Sequence, residues 1–446
     1  MKLKESKKIL AKNAKLIPGG VASINRLTDP PLCFVKAKGS KLWDADGQKY
    51  LDYHAGFAPH ILGFCDMDQE KAVVKCMAAN QALFGSGATK DEGELARLFL
   101  KCIPYADKVQ FTNTGSEATA QAIRVARSAT GRDHIIVMQG GYNGQHNAVS
   151  ANLMTDKKNL GGKAVKGDEY PLVPITAGIP KSEKKLIHPV EFNDLKAVEK
   201  MVVKHKIAAL ITEPVLQNIG IIKPAKGYLE GLRKLADKHG FLLIFDEVKT
   251  GFRASIGGYQ KIVKVAPDLS TFGKAFANGY PIGAMAGKKE YLDLAISADP
   301  KKRVLIAGTY NCHPIPVAAA IACLKKLQDP KIGVYKVLEK LAKRLENGQV
   351  KLFKKYGIDV CIERVGSAHC VYFCKEVPTN WWEVLERHDF EFDKKYRLAL
   401  IENGIYNFPL PCKQGSISFS HTEQDIEHTL KVVDKVLKKI TFAEKV

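Results

Sequence analysis

A chain of 446 residues, 46% of them hydrophobic, is long enough for two domains around a substantial buried core and has the composition of a globular enzyme. No apolar run is long enough to span a bilayer, and the first twenty residues lack the apolar segment of a secretory signal, so we expect no membrane partner and a cytoplasmic protein. The formal net charge of +21 comes mostly from lysines dispersed through predicted helices, without a block of five like charges or a nucleic-acid motif; this predicts a solvated surface and no nucleic-acid partner. The ten cysteines show neither CxxC pairs nor ligand spacing, which predicts reduced thiols and no metal site.

In chain order, an amphipathic helix is predicted up to Pro18-Gly19-Gly20, and Arg26 follows in a Gly-containing entry. A guanidinium fork there fits a carboxylate, although a plain surface charge has the same signature. Residues 39–53 alternate apolar and polar around Asp46-Gly47 and predict a β-hairpin. A strand at 109–113 leads into Thr114-Gly115-Ser116-Glu117 and a helix through 127. Strand, Gly-Ser turn and helix N-terminus make an anion site, with N–H groups and dipole directed at a phosphate. A strand at 134–138 ends at Gly140-Gly141-Tyr142-Asn143-Gly144, and the Lys-rich stretch 155–166 reads as a mobile loop. Another buried strand, 207–215, carries Glu213 near its end, with Asn218 just beyond.

After a helix at 228–239, the apolar run 241–245 ends on Asp246 and Glu247. So short a run reads as a fully buried strand of a parallel sheet, and charge at its carboxyl end sits where open α/β sheets bind ligands. Downstream, Lys274 stands among small and apolar neighbours in Phe272-Gly273-Lys274-Ala275-Phe276. Such surroundings favour loss of the ammonium proton and let the amine attack carbonyls. Together the two residues meet the needs of pyridoxal phosphate (PLP): an acid holds the pyridine nitrogen protonated and a lysine carries the aldehyde as a Schiff base. A buried aspartate is more often a cap or ion-pair partner, and most lysines are solvated, so the surrounding pattern must decide. An antiparallel strand is expected at 282–287, helices over 316–355, strands at 358–365, 370–373 and 417–419, and a last helix from about Thr422.

DEVKTGFR at 246–253, followed by APDLSTFGKAFANGYPIGA at 266–284, resembles the core signature of class III (subgroup II) PLP-dependent aminotransferases, and most of all the glutamate-1-semialdehyde aminomutase branch. The resemblance runs from Gly19 to the last helix. It implies the α/β fold type I of PLP-dependent transferases: a large domain with a mainly parallel seven-stranded sheet, and a small α/β domain built from both chain ends. The expected divisions are residues 1–60, 61–315 and 316–446. It also implies that Lys274 holds PLP, that Asp246 pairs with the ring nitrogen, and that Val248 and Tyr142 pack on the ring. Gly115 and Ser116 would hold the phosphate. Glu213 and Asn218 match EPVxxNxG, beside the cofactor's phenolic oxygen and the substrate entrance. Thr309, in a GTxxxxP segment, would reach the phosphate of the neighbouring monomer in a homodimer with shared sites. Arg26 would bind the substrate carboxylate and Phe57 would flank the substrate, with 84–89 a further substrate-facing loop; Arg253 would brace its own loop.

Three positions depart from the branch: Phe57 replaces a frequent tryptophan, Asn143 a histidine, and Lys413 a glutamate. On these departures the expected function is an aminotransferase that passes an amino group from an α- or β-amino acid or related amine, the donor, to a keto-acid acceptor. The alternative is the aminomutase, which converts glutamate-1-semialdehyde to 5-aminolevulinate within one molecule. A non-catalytic PLP-fold or basic binding protein is a third reading, opposed by the presence of both Asp246 and Lys274.

Overall fold

Short apolar runs, most of them buried along their whole length, build the sheet of the larger of two units. In the computed structural model, which describes residues 1–443, this unit comprises Asp68–Tyr335 with Glu376–His388, and the other comprises Met1–Met67, Lys336–Lys375 and Asp389–Val446. The strands of the larger unit are β1 (Lys108–Thr112), β2 (His134–Met138), β3 (Ile187–Val190), β4 (Ile207–Thr212), β5 (Leu242–Asp246), β6 (Leu269–Phe272) and β7 (Gly283–Gly287). They lie in the order β1-β7-β6-β5-β4-β2-β3. Every paired neighbour is parallel except β7, which runs antiparallel to both β1 and β6. The fold is thus α/β with a mostly parallel seven-stranded sheet, as the resemblance implied. The helix Gly115–Thr130 places Ala122, Ile123 and Ala126 in one core with Ile135, Ile211, Ile244 and Met285 of the sheet.

This topology positions a site. The carboxyl ends of the parallel strands β1, β2, β4, β5 and β6 share one edge of the sheet. The turns that leave them carry Gly115 and Ser116, Tyr142, Glu213, Asp246 and Lys274. Open sheets of this kind bind ligands at that edge.

Strand β3 was not among the expected strands. It has only four residues and contains Pro189, and the sheet order makes it an edge strand, where a residue without an N–H is tolerated. The helix Pro314–Gln328, expected to open the small domain, belongs to the larger unit. Gln69 Nε2 donates to Ala277 O at 2.8 Å and to Ala319 O at 3.2 Å, and Cys323 Sγ donates to Ala275 O at 3.4 Å. The helix Trp381–Arg387 returns to the same unit, where Trp381 Nε1 donates to Thr155 O at 2.8 Å and ties down the start of the 155–166 stretch.

The smaller unit contains the expected hairpin, Lys41–Asp44 with Lys49–Asp52. It is flanked by Phe34–Lys38 on one side and by Ile405–Tyr406 on the other, so the two ends of the chain meet in one sheet. A second sheet joins Cys361–Val365, Ala368–Tyr372 and Gly415–Ser416. Its third strand precedes the expected 417–419 run. Ladder pairing ends at Ser416, and Ile417, fully buried, instead donates its N–H to Ser367 O at 2.9 Å. The final helix, Glu423–Ala443, starts on a reciprocal cap: Thr422 Oγ1 accepts from Asp425 N at 3.1 Å, and Asp425 Oδ2 accepts from Thr422 N at 3.0 Å. All ten cysteines are free thiols. Among the described residues no helix is long and apolar enough to cross a membrane.

Candidate active site

Asp246 is the last residue of β5 and is only 3% exposed. Its Oδ1 accepts from Val248 N at 3.0 Å and from Thr271 Oγ1 at 3.1 Å, and its Oδ2 accepts from Asn143 Nδ2 at 2.9 Å. Burial pushes the carboxyl above its ordinary range; the hydrogen bonds and the nearby Lys274 charge work against that rise. Thr271 is the register partner of Asp246 on the adjacent strand, so parallel pairing alone delivers the hydroxyl. The sequence reading missed both Thr271 and the amide of Asn143 as partners of this acid. Their signal was position: one lies opposite the carboxylate in the sheet, the other in the turn that leaves β2.

Lys274 follows β6 and Gly273, with its own backbone in the left-handed region at φ 49°. Only glycine adopts that region without cost, so a lysine held there marks a position fixed by its surroundings. Desolvation lowers its ammonium pKa, and the carboxylates of Asp246 and Glu213 are close enough to offset part of the effect. Neutral amine is therefore more accessible here than on a solvated lysine.

Glu213, just past β4, is buried and fully engaged. Oε1 accepts from Tyr142 N at 3.0 Å and Asn218 Nδ2 at 2.9 Å, and Oε2 accepts from Gln217 N at 3.0 Å. Burial raises its pKa, the Lys249 charge lowers it, and Asp246 raises it again. Lys249, also unforeseen, is held by its Nζ donating to Gln217 O at 2.8 Å. Tyr142 is half-buried, and after burial itself the Asp246 charge is what raises its hydroxyl pKa, which sets the ring near that acid.

The helix Gly115–Thr130 begins at the same edge, capped by Thr114 Oγ1, which accepts from Glu117 N at 3.1 Å. Ser116 Oγ accepts from Gln145 N at 3.3 Å. A Cβ added at Gly115 would lie 2.8 Å from Val248 Cγ2 and 2.9 Å from Val248 Cγ1, so this turn and the valine after Asp246 are in direct contact. Gly115→Ala should therefore push Val248 aside. An overpacked contact costs about 1–3 kcal/mol, which predicts a roughly ten- to hundredfold weaker hold on a ligand seated there. Cofactor titration of the apoprotein checks this, and adding Val248→Ala should restore part of the affinity.

The remaining expected residues are carried by other segments. Thr309 is exposed in a loop tethered to the helix start through Asn113 Nδ2, which donates to Asn311 Oδ1 at 3.0 Å. Arg253 is buried within the larger unit. Arg26 and Phe57 belong to the smaller unit. Arg26 ends a short 3-10 turn and is exposed. Phe57, at φ 68°, packs edge-on against His54 with ring centroids 4.2 Å apart and against Phe408 at 4.9 Å.

The class-III aminotransferase model matches residues 23–406. The chain is 37% identical over 444 residues to the glutamate-1-semialdehyde 2,1-aminomutase of Methanosphaera stadtmanae, covering 99% of this chain and 100% of that protein. It is 36% identical over 442 residues to the protein of the same name from Archaeoglobus fulgidus, covering 98% and 100%. Among solved structures, an omega-transaminase from Sphaerobacter thermophilus superposes with a TM-score of 0.88 at 25% identity, over 97% of each chain. The full-length aminomutase relatives overturn the expected two-substrate aminotransferase. Two of the departures behind that expectation have plain structural roles. Asn143 supplies an N–H to Asp246, and Phe57 remains an aromatic packed among aromatics.

Proposed function

This chain belongs to the class-III aminotransferases, a family of PLP enzymes acting on small molecules, and from that premise we propose that it is a glutamate-1-semialdehyde 2,1-aminomutase. The observation that carries the reading is end-to-end similarity, at 37% and 36% identity, to proteins of that name. In the reaction the amino group moves between adjacent carbons of one substrate, giving 5-aminolevulinate, so a single small molecule replaces the donor and acceptor pair.

The residues at the sheet edge fit PLP: a turn with no room for a Cβ, a lysine with a lowered pKa, and a buried acid that three donors fix in place. When bound, PLP supplies a carbonyl for the amino group and an electron sink for the adjacent carbon. Gly115 and Ser116 would hold its phosphate, Tyr142 and Val248 its ring faces, and Glu213 with Asn218 the side bearing its phenolic oxygen. Asp246 keeps the ring nitrogen protonated by holding a negative charge beside it. Lys274 would provide the covalent anchor, and its Nζ, once free, would carry the proton between the substrate carbon that bears the nitrogen and the cofactor's carbonyl carbon. We assign Arg26 to the substrate carboxylate and Phe57 to the substrate's flank.

We assign Thr309 to the phosphate of a second subunit, in a homodimer. Leu305 and Tyr310, 73% and 63% exposed on either side of it, suit a surface that a second copy covers. The ten free thiols suit a reducing compartment such as the cytoplasm.

The test is to give purified holoenzyme glutamate-1-semialdehyde and nothing else. Near-complete conversion to 5-aminolevulinate is the expected result. Dependence on an added amino donor or keto acid would sink the reading.

A further inference from the structure

On the opposite edge of the same sheet, three histidines come together from separate parts of the chain. His134 opens β2. His188 lies in β3, opposite Ile136, so both rings project from one face. His205 follows the helix Leu195–Lys204 and stands two residues before β4, whose first residue pairs with His134. One ring nitrogen from each falls within 4.8 Å of the others.

The hydrogen bonds fix the tautomers. His188 Nδ1 sits 2.8 Å from Glu169 Oε2 and donates to it, which leaves His188 Nε2 as an acceptor. His134 Nδ1 lies 2.9 Å from that nitrogen and supplies the proton. His205 Nε2 is buried and, among the described residues, has no hydrogen-bond partner. A buried nitrogen left unpaired costs free energy, and here it is stacked on His188 with ring centroids 4.0 Å apart. Glu169 is itself held in place, its Oε1 accepting from Lys204 Nζ at 3.1 Å. An imidazole whose other nitrogen donates to a carboxylate is the arrangement that orients histidine ligands of metals.

We propose that His134, His188 and His205 form a site for a first-row transition-metal dication of the imidazole-preferring class, such as Zn²⁺. His188 Nε2 and His205 Nε2 offer lone pairs, and His134 offers Nδ1 by turning to its Nε2–H tautomer, with no net change in protons. Small rotations of the two half-buried rings bring the three lone pairs to a common point; Glu169 keeps the buried His188 in register. A water completes four-coordination. The ion would brace the amino ends of β2, β3 and β4, away from Asp246 and Lys274.

The experiment is calorimetric titration of Zn²⁺ into holoenzyme, repeated with His205→Ala, His134→Ala and Glu169→Gln. We expect one equivalent bound per chain, near-complete loss of that binding in each histidine variant, and roughly 10–100-fold weaker binding in Glu169→Gln. Cofactor absorbance and turnover should stay unchanged in all three, which establishes that they are folded. Co²⁺ should give ligand-field bands without thiolate charge-transfer absorbance. Absence of binding to the wild type overturns the proposal. So does binding that survives both His134→Ala and His205→Ala, or a thiolate signature, which would place the ion on a cysteine.

Discussion

Lys274→Ala is expected to reduce conversion of glutamate-1-semialdehyde by ~10⁴-fold or more, because proton transfer by a positioned group alone contributes about 10²–10⁴-fold and the covalent anchor is lost with it. The substitution isolates the amine. Alanine keeps a Cβ, so the left-handed backbone at φ 49° and its cost persist. Loss of activity would then report the missing Nζ and not a relaxed loop. Two readouts separate this from a structural effect. Borohydride should label the wild-type protein at Lys274 and leave the variant unlabelled. Small primary amines added to the solution should recover part of the turnover, since a free amine can supply the missing base. A variant that keeps turnover within tenfold of wild type, or that no amine rescues, counts against Lys274 as the proton carrier. Removing the lysine also removes positive charge near Asp246 and Glu213, whose raised pKa values should rise further.

The placement of the candidate site on the sheet was legible because it is written locally. Asp246 ends an apolar run that only a buried parallel strand explains, and Gly115-Ser116 sits at a strand-to-helix turn. Each needs a few neighbouring residues to be recognised. Contacts made through the sheet were not legible in the same way. Thr271 reaches Asp246 by strand register, and Asn143 reaches it from the turn after β2, more than a hundred residues earlier in the chain. Asn143 was read as a loss of histidine when its amide makes a bond to the same acid, and that misreading tilted the functional expectation. Strand β3, four residues with a proline among them, was not foreseen, and it lies at the edge of the sheet. The histidine cluster left no trace at all. Its members are 54 and 17 residues apart and meet only because β2, β3 and β4 are adjacent.

Asp246→Asn should separate catalysis from stability, with opposite signs. Asparagine is nearly isosteric and its oxygen can still accept from Val248 N and Thr271 Oγ1, but its amide nitrogen would face the Asn143 Nδ2 donor, and no negative charge remains. Without that charge a protonated ring nitrogen loses its partner at a buried position. Removing one preorganised electrostatic partner typically costs about 10²–10³-fold in kcat, and we expect a loss in that range or beyond with KM changed much less. Stability of the apoprotein should move the other way. Burial raises the folded pKa of Asp246 above the unfolded value of about 3.9. The native state therefore binds the proton more tightly than the unfolded chain does. The resulting stabilisation is fully present below the unfolded pKa and is lost as pH rises through the folded pKa. Apo Asp246→Asn, which carries no such charge, should melt higher than apo wild type at pH 7, and the gap should narrow on acidification toward pH ~4. Differential scanning fluorimetry of the two apoproteins across that range checks the sign. An equal or lower melting temperature for the variant at pH 7 would mean that the three donors already compensate the buried charge. A narrowing gap would instead show that the protein carries an unfavourable carboxylate in this position, as the proposed ring-nitrogen role requires.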